Sequence, residues 1–306
     1  MHPAALHVAK FGGTSLASYQ AMQRCAEIVK ADSNIRLVVV SAPAGVTNTL
    51  VQLSQVARQP DCYADDLLSQ LQHTVDHFLT ELSACSGLQQ HIVQLLDDVK
   101  LLILMLSKAY SKQLVDELLS FGERLSAQFF TAILSQLSVQ ACHVDARTLL
   151  KTDSHYGKAN PLLAEIKTQV SQAISPQLDQ TVYVTEGFIG SDSRHVTTTL
   201  GRGGSDYSAA LFAEALSADA VQIWTDVNGI YRIDPRIVPS AQKIDHLCFS
   251  EAAELATFGA KVLHPASLWP AVRQNIPVYV GSSLQADAGG TWITKTSTVP
   301  LPTVRA

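Results

Sequence analysis

Charge is scarce in this chain of 306 residues: Asp, Glu, Lys and Arg together make up 16%, and the net charge is −5. Proteins that live on nucleic acid or on anionic membranes need a basic surplus, so neither is an expected partner. Any anion bound here must be held by a local arrangement. Paired cysteines are missing as well. Cys25, Cys62, Cys85, Cys142 and Cys248 form no CxxC unit and are odd in number, which argues against a zinc site or a disulfide framework and for a reduced, cytoplasmic setting. No basic start followed by an apolar run opens the sequence. The longest aliphatic run, Leu101–Leu106, is flanked by Lys100 and Lys108 and falls far short of the ~20 residues a membrane span needs. No Pro/Gly-rich linker, internal repeat or low-complexity segment divides the chain.

What is present is apolar residue in quantity, 47% of the total, enough for a substantial core in one large domain or two medium ones. The stretch LHVAKFGGTS is a short apolar run broken by Gly12-Gly13, and a helical pattern follows from Ser18 with Met22, Cys25, Ala26 and Val29 on one face. IRLVVVSAPAG then reads as a strand too apolar to alternate, as strands buried on both faces are. Strand, helix, strand is a βαβ unit and implies a parallel sheet. From Thr49 to Leu137 the pattern is helical throughout, with LLILML expected in a buried helix. Strands are predicted at Val139–Ala146, Thr181–Gly190, Ala220–Val227 and Ile276–Ser282, and helices at Tyr207–Leu216 and Ser250–Val262. The fold class expected is an α/β sandwich with a helical insertion in its first half.

Three glycine- or hydroxyl-rich loops follow predicted strands, where open α/β sheets collect ligands. Lys10-Phe11-Gly12-Gly13-Thr14-Ser15 suits an anion, through exposed backbone N–H groups and the lysine charge; a turn with a solvated lysine explains it equally. No GxxxxGK[ST] loop occurs in the chain. Ser41–Asn48 is uninformative alone, since Thr47 could merely cap a helix. Gly201-Arg202-Gly203-Gly204-Ser205-Asp206 fails the GxGxxG pattern at Asp206. Ser205 or Asp206 could cap the next helix, which leaves Arg202 among glycines unexplained. An arginine there can fork onto a carboxylate or phosphate that the glycines admit, and Asp206 suits a Mg²⁺-bound phosphoryl donor. In SFGE, Ser120–Glu123, the acid is ordinarily a surface helix glutamate. WTDVNGIYRIDPR, Trp224–Arg236, offers backbone edges, an aromatic and an arginine to an adenine nucleotide, or a hairpin turn at Asn228-Gly229.

Taken in order, KFGGTS, SAPAGVTN, SFGE, TTTLGRGGSDYSA, WTDVNGIYRIDPR, ATFGAKVLHPA (Ala256–Ala266) and VGSS (Val280–Ser283) resemble the aspartate kinases, within the amino acid kinase superfamily, over about residues 5–295. The resemblance is nearest to the lysine-sensitive, single-function type. It implies a three-layer αβα sandwich with a largely parallel eight-stranded sheet. About 1–185 would be the substrate-binding lobe and 186–295 the nucleotide-binding lobe of one catalytic domain. It implies transfer of the γ-phosphoryl of ATP, with Mg²⁺, to the side-chain carboxylate of L-aspartate, opening lysine, threonine and methionine biosynthesis.

The resemblance also assigns roles. Lys10 would neutralise the transferring phosphoryl, and Gly12 and Gly13 would offer it N–H groups. Asp206 would orient Lys10 or a Mg²⁺-bound water. Arg202 would clamp the substrate α-carboxylate and Glu123 its ammonium, with Ser41, Thr47 and Ser205 adding hydroxyl contacts. Thr225, Asp226, Tyr231, Arg236 and Lys261 would hold the nucleotide. No general base is required, because the attacking carboxylate is already ionised at pH 7. An acid at 123 with an arginine at 202 favours a free amino acid over an acylated one or a nucleoside monophosphate. The alternative is a silent nucleotide-binding subunit on the same fold, which would have lost Lys10, Asp206 or Arg202; all three are here.

Family members continue into two regulatory ACT modules, and residues 296–306 carry no periodicity. They read as a tail or a shortened linker, either of a catalytic domain alone or of a naturally short form, and a homodimer is left open. Inhibition by lysine is therefore expected to be absent. Adding lysine to an assay of this chain with ATP, Mg²⁺ and aspartate should leave the rate unchanged; strong inhibition would contradict that.

Overall fold

The computed structural model describes residues 5–57, 64–82, 85–174, 181–235, 237–238, 240–257 and 265–296. Strand β1 (His7–Phe11) and strand β2 (Ile35–Val40) flank helix α1 (Tyr19–Ala31), which starts where the Ser18 hydroxyl accepts from the Ala21 N–H at 3.2 Å. The insertion follows as α2 (Val46–Val56), α3 (Ala64–Glu81), α4 (Ser86–Lys108) and α5 (Lys112–Gln136). Then come β3 (Ala141–His143), α6 (Ala146–Leu149), α7 (Leu163–Ala173), β4 (Val182–Glu186), β5 (Ile189–Ser191) and β6 (Thr197–Thr199). The last third holds α8 (Gly204–Leu216), β7 (Ala220–Thr225), β8 (Ile230–Tyr231), β9 (Lys243–Ile244), β10 (His246–Cys248), α9 (Phe249–Thr257), α10 (Trp269–Gln274), β11 (Val278–Ser282) and β12 (Gly290–Thr294).

Eight of these strands form one sheet in the order β10-β12-β11-β7-β1-β2-β4-β3. Every pair in it is parallel except β11 with β12. Helices cover both faces, so the central strands are apolar on both sides and alternate residues enter two different cores. Ala9, Phe11, Val38, Val40, Val182, Val184 and Trp224 face the layer of α1 to α5. Val8, Leu37, Val39, Tyr183, Val221 and Ile223 face α7, α8 and α10. The expected three-layer α/β architecture is present, and α1 buries the predicted Met22, Cys25, Ala26 and Val29. No described helix is long and apolar enough to cross a membrane.

Several expectations are corrected. LLILML is not wholly buried: Leu102, Ile103 and Leu106 are inside, whereas Leu101 is 55% and Leu104 51% exposed, because a 3.6-residue period turns only one side of α4 inward. Thr181–Gly190 splits into β4 and β5, and β5 leaves the main sheet to pair with β6. Val139–Ala146 shortens to β3 because Asp145 caps α6. The Asn228-Gly229 turn makes no hairpin, since β7 pairs with β1 and β11 and β8 pairs with β9. Helices α6 and α7 and strand β12 were not foreseen. Of the helix expected at Ser250–Val262, the described part ends at Thr257. Arg236, Lys261 and most of Ala256–Ala266 lie outside the described residues, as does the chain from 297 onward.

One buried acid fastens the glycine cluster to the insertion. Asp116 of α5, 1% exposed, accepts from the backbone N–H of Gly157 and of Thr199, each at 2.8 Å, and from the Thr199 hydroxyl at 3.0 Å. Buried donors left without a partner cost about 1–3 kcal/mol each. Asp116→Ala is accordingly expected to destabilise the fold by roughly 3 kcal/mol or more, read as a lower denaturant midpoint. An unchanged midpoint would mean that water replaces the carboxylate.

Candidate active site

The carboxyl ends of β1, β2 and β7 meet the first turns of α2 and α8 and the middle of α5 around a cavity of about 540 Å³. Nine of the sequence-predicted residues line it: Lys10, Gly12, Gly13, Ser41, Thr47, Glu123, Ser205, Asp206 and Thr225. Arg202 does not; it is exposed on the turn before α8 and has no hydrogen bond or ion pair among the described residues. Asp226 is exposed just beyond the lining, and its carboxylate accepts from the Thr225 hydroxyl at 3.1 Å. Tyr231 is in β8, away from the lining. Arg236 and Lys261 are outside the described residues.

Two helices aim their amino ends at this space. Gly45 (φ 88°) and Gly203 (φ 74°) are left-handed residues at the N-cap positions of α2 and α8, and neither helix has a side-chain cap. The alternative readings of Thr47, Ser205 and Asp206 as caps are therefore corrected: glycine turns the chain, and these side chains sit inside the first helical turn. Unpaired N–H groups at two helix starts favour an anion between them. The glycine loop after β1 behaves differently from expectation. Gly12 donates its N–H to the Trp224 carbonyl at 3.0 Å, so that donor is committed to joining β1 and β7 rather than free for a ligand. The close approach in this loop is at Gly13, where a Cβ would come within 2.9 Å of the Ala42 carbonyl oxygen.

Lys10 ends β1 with its side chain 11% exposed and its Nζ 2.7 Å from Asp206 Oδ1, an ion pair not aligned as a hydrogen bond. The Asp206 carboxylate thus keeps acceptor capacity toward the cavity. Across from it lies Glu123, which is 4% exposed. Its position follows from Gly122: a Cβ there would come within 2.6 Å of the Ala42 Cβ, so only glycine lets α5 press on the Ser41–Asn48 loop. That contact brings the Ala42 N–H to the Glu123 carboxylate. The other oxygen, Oε2, is buried with no partner among the described residues. Burial, reinforced by the nearby Glu186 charge and only partly offset by Ala42 and Lys10, pushes Glu123 up to about 8.

Sequence reasoning missed three residues here. Phe188 lines the cavity with φ 69°, a left-handed conformation rare for a bulky residue and kept at functional sites. Its amide donates to the Ser208 hydroxyl at 3.0 Å and its carbonyl accepts from the Leu200 N–H at 2.9 Å. Glu186, 1% exposed, accepts from His143 at 2.6 Å and from the Ala146 N–H at 2.8 Å. Burial opposes protonation of His143, but the Glu186 contact outweighs it and raises the imidazole above its ordinary value. Nothing in the residue order signalled them, because one strand was expected through Thr181–Gly190, and only the fold shows β4 ending at Glu186 with Gly187 and Phe188 just beyond it. Among the described residues no group of three His, Cys, Asp or Glu side chains could hold a metal by itself.

Glu123 sets a pH dependence. Folded, it keeps its proton up to about pH 8, whereas an ordinary glutamate loses it near 4.5. The stability present below the lower value is therefore lost as pH rises through the upper one. Glu123→Gln should match the wild-type unfolding midpoint at pH 5 and exceed it at pH 9, by a few kcal/mol at most. Parallel pH profiles of the two proteins would rule this out.

Comparison with known proteins places the site in context. Residues 5–282 match the profile of the amino acid kinase family. The chain is 47% identical to the lysine-sensitive aspartokinase 3 of Escherichia coli K12 over 96% of its own length and 65% of that protein's. It is 37% identical to an aspartokinase of Chlamydia pneumoniae, covering 94% of this chain and 62% of the relative. A crystal structure of E. coli aspartokinase III in complex with aspartate and ADP superposes with a TM-score of 0.91, at 47% identity, over 97% of this chain and 66% of the other. The chain spans just under two thirds of the length of these relatives.

Proposed function

This chain belongs to the amino acid kinase family, and from that premise we propose that it is an ATP-dependent aspartate kinase. It would move the γ-phosphoryl group of ATP onto the side-chain carboxylate of L-aspartate to give 4-phospho-L-aspartate. The observation that carries this reading is Glu123, a buried acid on the cavity wall with one oxygen unpartnered. Such an oxygen calls for a donor, and the ammonium of a free amino acid supplies both donor and charge. Relatives described as aspartokinases, one of them crystallised with aspartate and ADP, support the choice of substrate.

The remaining residues then act by position and charge. Lys10 carries its ammonium to the phosphoryl under transfer, where negative charge spreads over the equatorial oxygens. Asp206 holds that ammonium in place at 2.7 Å. The amino ends of α2 and α8 face the same phosphates with their free N–H groups. Ser41, Thr47 and Ser205 add hydroxyl contacts, and the Phe188 ring shields the reacting carboxylate from water. Arg202, exposed on the turn before α8, would offer its planar guanidinium to the α-carboxylate. The attacking carboxylate is already ionised, so no side chain need remove a proton. The nucleotide extends past Thr225 toward Asp226 and Tyr231, with Arg236 and Lys261 as further contacts. Mg²⁺ fits this donor set in one way: among the described lining residues Asp206 is the carboxylate beside Lys10, so the ion would be held mainly by phosphate oxygens. When bound it would neutralise charge on those oxygens.

A hydroxamate assay, which traps an acyl phosphate with hydroxylamine, tests the reading with ATP, Mg²⁺ and aspartate. Lys10→Ala should lose turnover by at least ~10²-fold and keep the wild-type circular-dichroism spectrum. Turnover near wild type in that variant would remove Lys10 from its role, and no hydroxamate from the wild-type chain would overturn the proposed reaction.

A further inference from the structure

A second cavity, of about 290 Å³, opens on the sheet face that packs against α1. It sits at the lower edge of the ~300–1,000 Å³ range of small-ligand sites. Its floor is aromatic. In the sheet register Tyr279 lies between Gln222 and Trp292, and Trp224, two residues beyond Gln222 on the same strand, adds a third ring on three adjacent strands. The centroids of Trp224 and Tyr279 are 5.4 Å apart, and those of Tyr279 and Trp292 are 5.1 Å apart. The Trp224 N–H is taken by the Gln222 side chain at 3.0 Å, which leaves the indole to interact through its face.

The wall opposite is negative. Ile28 and Ala31 of the last turn of α1, the negative end of its dipole, line the cavity, and Asp32 follows them on the lining. Asp32 Oδ2 accepts from Gln222 at 2.8 Å and lies 3.1 Å from His7 Nδ1, while Oδ1 accepts from the Asn34 N–H at 3.0 Å. These contacts, the His7 bond first, hold the carboxylate well below the ordinary range, so it is charged at any physiological pH. A partly exposed carboxylate beside a row of three aromatic rings, inclined to one another by 60° and 54°, suits a cation. Asp32 already has hydrogen-bond partners, so a cation adds charge complementarity that a neutral guest lacks, and an anion would be repelled.

We propose that this cavity binds a small organic cation, an alkylammonium or alkylguanidinium, with its charge between Asp32 and the end of α1 and its alkyl stem on Trp224, Tyr279 and Trp292. The site is separate from the one proposed for phosphoryl transfer and does not depend on that reading. The two adjoin through Trp224, whose ring floors this cavity while its carbonyl accepts from Gly12.

Two of the chain's three tryptophans lie in the cavity, and the third, Trp269, is 65% exposed on α10. Tryptophan fluorescence titrated with n-butylammonium and n-butylguanidinium should change saturably, whereas n-butanol and butyrate should give no saturable change. Asp32→Asn should weaken the two cations about tenfold. Ala286→Lys, at an exposed rim position, should abolish their response by placing an ammonium in the cavity, and it serves where Asp32→Asn fails to fold. Butanol binding as tightly as the cations, no saturation by either cation, or an unaltered response in folded Ala286→Lys would each overturn the proposal.

Discussion

A carboxylate shut away from water with one oxygen unpaired is the feature on which the rest of the site depends. Glu123 can sit there only because Gly122 lets α5 approach Ala42 to a distance that no larger residue allows. The same approach brings up the Ala42 N–H, which acts on the acid together with the N–H of Glu123 itself. Burial of this kind costs free energy unless a partner arrives. The cavity wall therefore carries both this acid, poised to give up its proton to a cationic guest, and the Lys10–Asp206 ion pair before anything binds.

The sheet explains why these groups meet. Strands β1, β2, β4 and β7 end together, so residues nearly two hundred positions apart, such as Lys10 and Asp206, share one rim. Left-handed glycines at 45 and 203 convert strand ends into helix starts within a few residues, and this places two amide-rich helix ends on that rim. Asp116 then ties the turn before α8 to the insertion through Gly157 and Thr199. Precision at the rim thus comes from buried contacts one layer below it.

Much of this was legible from residue order. Apolar runs too dense to alternate announced buried parallel strands, and small residues after them marked the ligand face. What escaped was whatever depends on contacts distant in sequence. Gly122 reads as a poor helix residue until Ala42 is seen against it. Glu123 looks like a surface glutamate because helical periodicity cannot say which layer lies opposite. Gly12 promised a free N–H that the fold spends on Trp224. Phe188 hid inside an apparent strand, since a left-handed backbone leaves no compositional trace. Short elements such as α6 and β12 failed for a related reason: their stability comes from neighbours, not from propensity.

The proton on buried Glu123 makes one quantity decisive, the proton released when aspartate binds. With Glu123 near 8 in the free protein, most molecules carry that proton at pH 7, and a bound ammonium must displace it. Calorimetric titration of aspartate at pH 7 in buffers of different ionisation enthalpy counts it directly. The account predicts release of close to one proton per aspartate bound by the wild-type chain. Binding with no net proton release would contradict it.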